Sequence, residues 1–573
     1  MTINMRRKKI RITPGKALML LFFAWFILAC LVLPNLNLLK TVFFADGNFS
    51  TEPIRKLLKS KRAMIALRNS FILAPTLSIT VGFVGITLVL LTEYFDIKGA
   101  NILRLGYMTT LIYGGITLVS GYKFIYGSSG FLTKLLVQVF PNMNASWFQG
   151  YGAVLFVMTF SCTSNHMIFL RNAMRSVDFQ TVEAARNMGA GQFYILRRVV
   201  LPVLLPSLFA VTILTFITGL SAMSAPMLVG GTEFQTINPM IKTFADTVSS
   251  KDLAALLSLV LGFATMLLLF IMTQIEKRGH YMSVSKVKTK IVKQKITNPV
   301  LNVLAHVYAY VLFVIYVLPV VLIVLFSFTD SKSIGTRTLT LSSFTLENYK
   351  YLLQSLSNYR PFVVSIVYSA LAAVIVGVIV VLACRYIQKH KKARSASVLE
   401  YSLMIPWLLP TTMIALGLMM AFNVRRPYMF NQVLTGTMVI LLIGYVIIKL
   451  PFTMRMTKAA FFSLDDALED ASKNLGAGEM YTFRRVIFPV ILPTVMAIAA
   501  LNFNALISDY DMSAFLYHPL NPTLGVQIKS LTNDMNNPNG MALTFVYAVL
   551  MMIISAVVLY LVYGRGGRDN MKE

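Results

Sequence analysis

Residues 183–206 read EAARNMGAGQFYILRRVVLPVLLP, and residues 470–493 read DASKNLGAGEMYTFRRVIFPVILP. The two stretches align without a gap at a separation of 287 residues, about half of their positions are identical, and Gly189 falls on Gly476. Ser176 and Asp178 fall on Ser463 and Asp465 in the same register. A polar loop that occurs twice predicts two copies of one larger unit, and the sequence around each copy says what kind of unit it is.

That surrounding sequence is apolar. Of 573 residues, 56% are hydrophobic and only 13% are charged, against about 25% charged in ordinary soluble domains. A helix needs about 20 apolar residues to cross the hydrocarbon core, and it satisfies its own backbone hydrogen bonds there. About twelve stretches qualify: residues 17–39, 71–91, 105–126, 150–170, 202–223 and 253–275, then 303–328, 362–384, 401–422, 437–456, 489–507 and 541–563. Each repeated loop follows an even number of spans, so the repeats are parallel and both loops face one side. The expected fold class is an all-α integral membrane protein of about twelve transmembrane helices in two homologous parallel halves. Residues 1–275 form the first half, 276–300 a basic cytoplasmic linker and 301–573 the second half.

Lys and Arg total 52 against 23 Asp and Glu, a net charge of +29. Such a balance raises the question of a nucleic-acid partner, but no base-reading module accompanies it. The basic residues instead gather at 6–11, 277–295, 385–394 and 565–568, between or beyond apolar spans, as cytoplasmic orientation signals do. One segment breaks this pattern. Residues 40–68 are expected outside yet hold Arg55, Lys56, Lys59, Lys61 and Arg62, which suits attraction of an acidic surface on a substrate-delivering protein. Cys30, Cys162 and Cys384 are scattered inside apolar segments without disulfide or zinc spacing, and the first apolar run reads as an uncleaved helix. No cluster of His, Asp and Glu has metal-ligand spacing.

In each loop Ser176 or Ser463 is expected to cap a short helix, with Asp178 or Asp465 in its first turn. Gly189 and Gly476 end it, because glycine takes the left-handed conformation past a helix end without a side-chain penalty. The span is about twelve residues, or about 18 Å. Arg197, Arg198, Arg484 and Arg485 hold the chain at the interface, and Pro202 and Pro489 open the next membrane helix, where a missing donor costs nothing. A duplicated amphipathic interfacial loop would be the plainer reading, but the similarity is densest in the loop itself, where function rather than packing resides.

Glu183-Ala184-Ala185, Gly189, Val199, Leu201 and Pro202 resemble the EAA loop of ABC importer permeases, and Asp470-Ala471-Ser472, Gly476 and Pro489 resemble a second copy. The second copy departs from the family in having Asp470 for Glu and Ser472 for Ala, with Glu469 one residue early. The resemblance implies a type I ABC importer permease fold in the bacterial cytoplasmic membrane. It implies that Glu183, Ala184, Ala185, Gly189, Gly191, Asp470, Ala471, Gly476 and Gly478 couple the permease to two copies of a cytoplasmic ATP-binding subunit, which binds ATP and Mg. An extracytoplasmic substrate-binding protein and membrane lipid complete the expected partners. Residues 224–231, Phe234 and 127–130 are further similar to fused ferric-iron permeases, so ferric iron is the expected cargo, with 2-aminoethylphosphonate, thiamine or a polyamine as alternatives. No G-x-x-x-x-G-K-[ST] phosphate loop occurs, so the chain is expected to be no enzyme and to hold no cofactor of its own. The competing class is an ion-gradient-driven transporter of parallel repeats, whose loop between the second and third spans would carry a motif. Residues 93–104 show none.

Asp509, Tyr510 and Asp511 follow the span after the second loop, while the counterpart 221–225 has no carboxylate. Ionisable groups near a span face water or a partner, so these three line the substrate path or its outer gate, or else sit in solvent at a helix end. His166 reads as a packing residue, and Lys449 as a side chain that snorkels to the cytoplasmic interface.

Overall fold

The computed structural model describes residues 14–44, 47–174, 177–278, 293–391, 393–533 and 538–564. The basic clusters at 6–11 and 565–568, most of the one at 277–295, and Ser176 lie outside the described residues. In chain order residues 14–278 give α1 (Ala17–Phe43), the surface helix α2 (Glu52–Lys59), α3 (Lys61–Tyr94), α4 (Ala100–Leu111), α5 (Gly115–Tyr126), α6 (Tyr151–Met174), the loop helix α7 (Phe179–Asn187), α8 (Gln192–Leu220), the short α9 (Ser224–Val229) and α10 (Ile237–Ala245), and α11 (Val248–Gln274). Residues 293–564 give α12 (Pro299–Ser327), α13 (Glu347–Gln354), α14 (Leu356–Lys389), α15 (Arg394–Leu408), α16 (Thr411–Ala421), α17 (Met438–Phe462), the loop helix α18 (Asp466–Asn474), α19 (Glu479–Ile507), the short α20 (Ser513–Leu516) and α21 (Leu524–Asn533), and α22 (Pro538–Val562).

Ten of these helices are long and apolar enough to cross a bilayer, or twelve elements if each of two bent pairs counts as one span. The expected third and ninth spans are therefore not straight. Helix α4 is bent by 112° from the segment Gly115–Val139 that α5 opens, and α15 by 103° from α16. At the first bend Gly115 takes φ +57, and a Cβ there would stand 3.2 Å from the Ser508 carbonyl oxygen. At the second, Pro410 caps the start of α16 after a short helical turn containing Pro406, and prolines remove the donors that would continue a straight helix.

The same local devices recur along the chain. Helices α2 and α13 occupy matching positions, from Glu52 and Glu347 onward, and each leads into a long span capped by a serine. Ser60 accepts from the Ala63 amide at 3.4 Å and Ser355 from the Ser357 amide at 3.3 Å. Further along, Ser70 Oγ accepts from Ile237 N at 2.9 Å, and Ser365 Oγ accepts from Leu524 N at 2.7 Å. Helix α3 packs on α6 and α8, as α14 packs on α17 and α19.

The first helix of each set reaches across. Helix α1 packs on α11 and α16, and α12 packs on α22, α4 and α5. Trp25 donates from Nε1 to the Tyr428 carbonyl at 2.9 Å, and Tyr107 donates to the Ala309 carbonyl at 2.7 Å. Gly106 permits the second crossing, since a Cβ there would come within 2.2 Å of the Phe313 ring. Phe124 of α5 sits edge-on to Phe326 of α12 and Phe545 of α22, at 4.8 and 4.6 Å between centroids, a geometry that aromatic quadrupoles favour.

Both loop helices lie at one end of the molecule. Gly15 at the start of the chain's first helix lines a cavity with Glu479 and Met480 beside the second loop. Two crossings, α1 and α3, then return the chain to Tyr94. Next to it, Glu93 meets Arg171 of α6 at 2.8 Å, just before the first loop.

Candidate functional site

Each loop helix has nine residues, about 13 Å, and is shorter than the expected twelve because its cap is two residues further on and it ends one residue earlier, at Asn187 or Asn474. Asp178 accepts from the Gln180 amide at 3.0 Å and Asp465 from the Ala467 amide at 2.9 Å, so the aspartates are the caps, not first-turn residues. Ser463 instead ends the preceding helix. A carboxylate accepts these donors and also interacts favourably with the positive end of the helix dipole. At the other end Gly189 and Gly476 adopt φ +84 and +81. The following amides close back in matching bonds, Ala190 to the Ala185 carbonyl at 3.0 Å and Ala477 to the Ser472 carbonyl at 3.1 Å, which is the Schellman termination.

Gly191 and Gly478, not Pro202 and Pro489, open the next helices. The two prolines lie inside continuous helices just after π-turns in which Leu201 N bonds the Leu196 carbonyl and Phe488 N the Phe483 carbonyl. The wider turn absorbs the ring that would strike a standard helix. The loop and the following span are thus one mechanical piece.

The inner faces of the two loop helices differ chemically. In the first, Val182 and Ile195 are buried and Ala185 is half-buried. In the second the matching positions are Glu469, Thr482 and Ser472, and Ser472 and Thr482 share a 2.8 Å hydrogen bond. Glu469 reaches Arg385 at the end of α14 at 2.9 Å, Lys389 at 3.6 Å and Lys473 at 3.2 Å. Burial pushes its carboxyl up, but these cations, Arg385 first, outweigh that and hold it down at about 2. Glu183, Ala184, Asp470 and Ala471 are exposed. Asp470 lies 3.6 Å from Lys473, and Glu183 has no ion-pair partner among the described residues.

Three exposed apolar pairs were not picked out from the sequence. Met188 and Leu475 are 81% and 88% exposed, Phe193 and Met480 are each 75% exposed, and Tyr194 and Tyr481 are 59% and 62% exposed. Each pair is matched in the repeat register: the first directly precedes Gly189 or Gly476, and the other two follow Gly191 or Gly478 by two and three residues. Contiguous exposed apolar surface marks an interaction site. The detectable signal was large apolar residues on both sides of G-A-G in a loop otherwise polar. Glu93 was also passed over: it is buried at the end of α3 and meets Arg104 at 3.4 Å as well as Arg171.

Asp509, Tyr510 and Asp511 are brought together where α8 and α19 end, and they do not project into solvent. Asp509 accepts from the Ser513 amide at 3.0 Å. Lys449, half-buried in α17, supplies it with an attracting positive charge, so this lysine turns inward rather than snorkelling to the interface. Asp511 accepts from Ser224 Oγ at 3.4 Å, and the buried Tyr510 hydroxyl meets Met227 Sδ at 3.0 Å. His166 is fully buried against Gly85. No group of three potential metal ligands occurs among the described residues.

The architecture is thus a multi-pass helical protein that presents two matched loop helices at one end. Residues 373–564 match the family model of the binding-protein-dependent transport system inner membrane component. The chain is 38% identical over 541 residues to the "Probable ABC transporter permease protein y4fN" of Sinorhizobium fredii, covering 94% of each. It is 22% identical over 540 residues to the ferric transport system permease protein FbpB of Actinobacillus pleuropneumoniae, covering 92% of this chain and 75% of that one. A crystal structure of a bacterial ABC transporter involved in the import of the acidic polysaccharide alginate matches 46% of this chain and 95% of that chain, at 16% identity and a TM-score of 0.39. The chain belongs to the ABC transporter permeases. It is a multi-pass inner-membrane component of a binding-protein-dependent system and carries no ATPase domain, so an ATPase and a binding protein are its partners.

Proposed function

We propose that this chain is the complete translocation path of a type I importer, with residues 1–275 and 301–573 as homologous halves and 276–300 as a cytoplasmic linker. Two copies of a cytoplasmic ATP-binding subunit dock on α7 and α18, around Glu183, Ala184, Ala185, Gly189 and Gly191, and around Asp470, Ala471, Gly476 and Gly478. ATP and Mg are bound on those subunits. When they close, each loop helix pulls on the span continuous with it, α8 or α19, and the far ends of these spans carry the gate. Ser224, Asp509, Tyr510 and Asp511 sit at those far ends, so a tilt of either span separates Asp511 from Ser224. The observation that carries this reading is the duplicated set of exposed apolar side chains at Met188, Phe193 and Tyr194 and at Leu475, Met480 and Tyr481, a surface of a kind that a partner covers.

The proposed cargo is ferric iron, supported by the similarity over nearly the full chain to a ferric permease. The carboxylates at the gate suit a cation. Phosphonate, thiamine or polyamine are the alternatives. The docking partners include membrane lipid and the binding protein, whose acidic surface would meet the exposed Arg55, Lys59, Lys61 and Arg62 around α2. Reconstitution of the permease with its ATPase and binding protein in vesicles tests both levels. Uptake of radioactive iron that needs ATP supports the whole reading. ATP-dependent uptake of another cargo only would keep the permease and reject iron, and uptake driven by an ion gradient without ATP would reject the mechanism.

A further inference from the structure

At the end of α6 away from the loop helices, a cavity of about 380 Å³ is lined by Lys123, Gly127, Ser128, Ser146, Gln149 and Thr232, among others. Among the described residues, Lys123 is the only charged one that lines it. The next carboxylate along the chain, Glu233, is exposed and does not line it. Neither Lys123 nor Lys529 has an ion-pair or side-chain hydrogen-bond partner among the described residues. Buried or half-buried lysines are ordinarily paired, so a cationic cavity with hydroxyl and amide donors and no acid among its described lining residues wants an anion.

The second cation is brought in by helix packing. Thr532 of α21 donates to Ser120 of α5 at 3.1 Å. Lys529 lies three residues before Thr532 and Lys123 three residues after Ser120, so both fall on the same faces as that bond, and the Lys529 charge acts on Lys123. The repeat shows what is unusual here. The counterpart of Lys529 is Lys242, which pairs with Asp246 four residues on; four residues after Lys529 stands Asn533. Asp534 beyond it lies outside the described residues, and among the described residues no carboxylate neutralises Lys529 as Asp246 neutralises Lys242.

We propose that this cavity is an oxyanion site on the entry side of the path, which takes a small phosphate-like or phosphonate-like dianion on Lys123, with Ser128, Gln149 and Thr232 as donors and Lys529 adding positive charge from behind Lys123 rather than from the lining. The same headgroup chemistry could be presented by an anionic lipid or by a free solute. Its placement on the entry side rests on the permease reading; the anion binding does not.

The test is calorimetric titration of the intact permease in phosphatidylcholine nanodiscs with inorganic phosphate, against acetate and chloride at equal ionic strength. Lys123→Gln is expected to weaken phosphate binding by about tenfold or more. Asn533→Asp, which restores to Lys529 the partner Lys242 has, is expected to weaken it as well while leaving the cavity lining intact. Competition by phosphatidylglycerol in the nanodisc assigns the site to a lipid headgroup, and undiminished binding in its presence assigns it to a free solute. Phosphate binding that is absent in both lipids, or unchanged in both variants, overturns the proposal. Unchanged melting temperatures exclude misfolding as the cause of any loss. Failure of the permease reading shows separately, as wild-type protein that does not assemble with an ATP-binding subunit.

Discussion

Ser224 and Asp511 stand 287 residues apart in the chain and meet across a 3.4 Å hydrogen bond. That separation is the register of the duplicated loops, so the two residues hold equivalent places in their repeats and touch where the repeats face each other. Equivalent positions can meet only on or next to the axis that relates them. The bond therefore marks that axis at the end of α8 and α19 opposite the loops, where a path between the repeats would be closed.

A cross-link at this point should stop transport. Cysteines introduced by Ser224→Cys and Asp511→Cys are expected to oxidise to a disulfide, abolish cargo uptake, and leave the ATP-binding subunit bound. Reductant should restore uptake. Uptake that persists with the bridge formed would remove Asp511 from the gate.

Asp509 and Lys449 should behave as a pair. Asp509→Asn leaves the Lys449 charge uncompensated and is expected to cost on the order of 2 kcal/mol of stability. Adding Lys449→Met should recover most of it. A double-mutant cycle read by thermal melting checks this, and additive losses would show that the two charges do not act on each other.

Glu469 predicts a pH dependence of the second loop alone. Its folded-state carboxyl titrates at about 2, below the ordinary 4.5, so its contribution is fully present above 4.5 and is lost as pH falls through about 2. Between those values, hydrogen exchange of α18 should rise while that of α7, whose matching residue is Val182, should not. Glu469→Gln is expected to erase the difference at every pH.

Gly189 and Gly476 are left-handed with open space around them, since no atom lies within 4 Å of a Cβ built at either. Replacement by alanine is therefore penalised by backbone conformation rather than by a clash, about 1 kcal/mol at each site. Asparagine, which tolerates that conformation, should recover part of the loss. The measurement is transport and melting of the single and double variants, with the double variant losing coupling before it loses fold.

Much of this was legible because it is local chemistry. Glycine after a polar helix, a carboxylate at its start and apolar runs of membrane length follow from the side chains themselves. Asp178 rather than Ser176 as the cap could not be separated by rule, since both residue types favour that place. The bends at Gly115 and Pro410 were missed because apolarity continues through them, and length counts register composition, not direction. Lys449 looked like an interfacial residue because its counter-charge lies on a segment 60 positions later in the chain. The inner-face contrast of Val182 and Glu469 needed the repeat to be read in three dimensions.

The central claim is that force enters through both loop helices. It is tested most directly by co-purification of the ATP-binding subunit with permease carrying Met188→Asp, Leu475→Asp or both. Each single variant should retain a weakened complex and the double variant none, with unchanged melting of the permease itself. A double variant that still carries its full complement of ATP-binding subunit and still imports cargo would contradict the account.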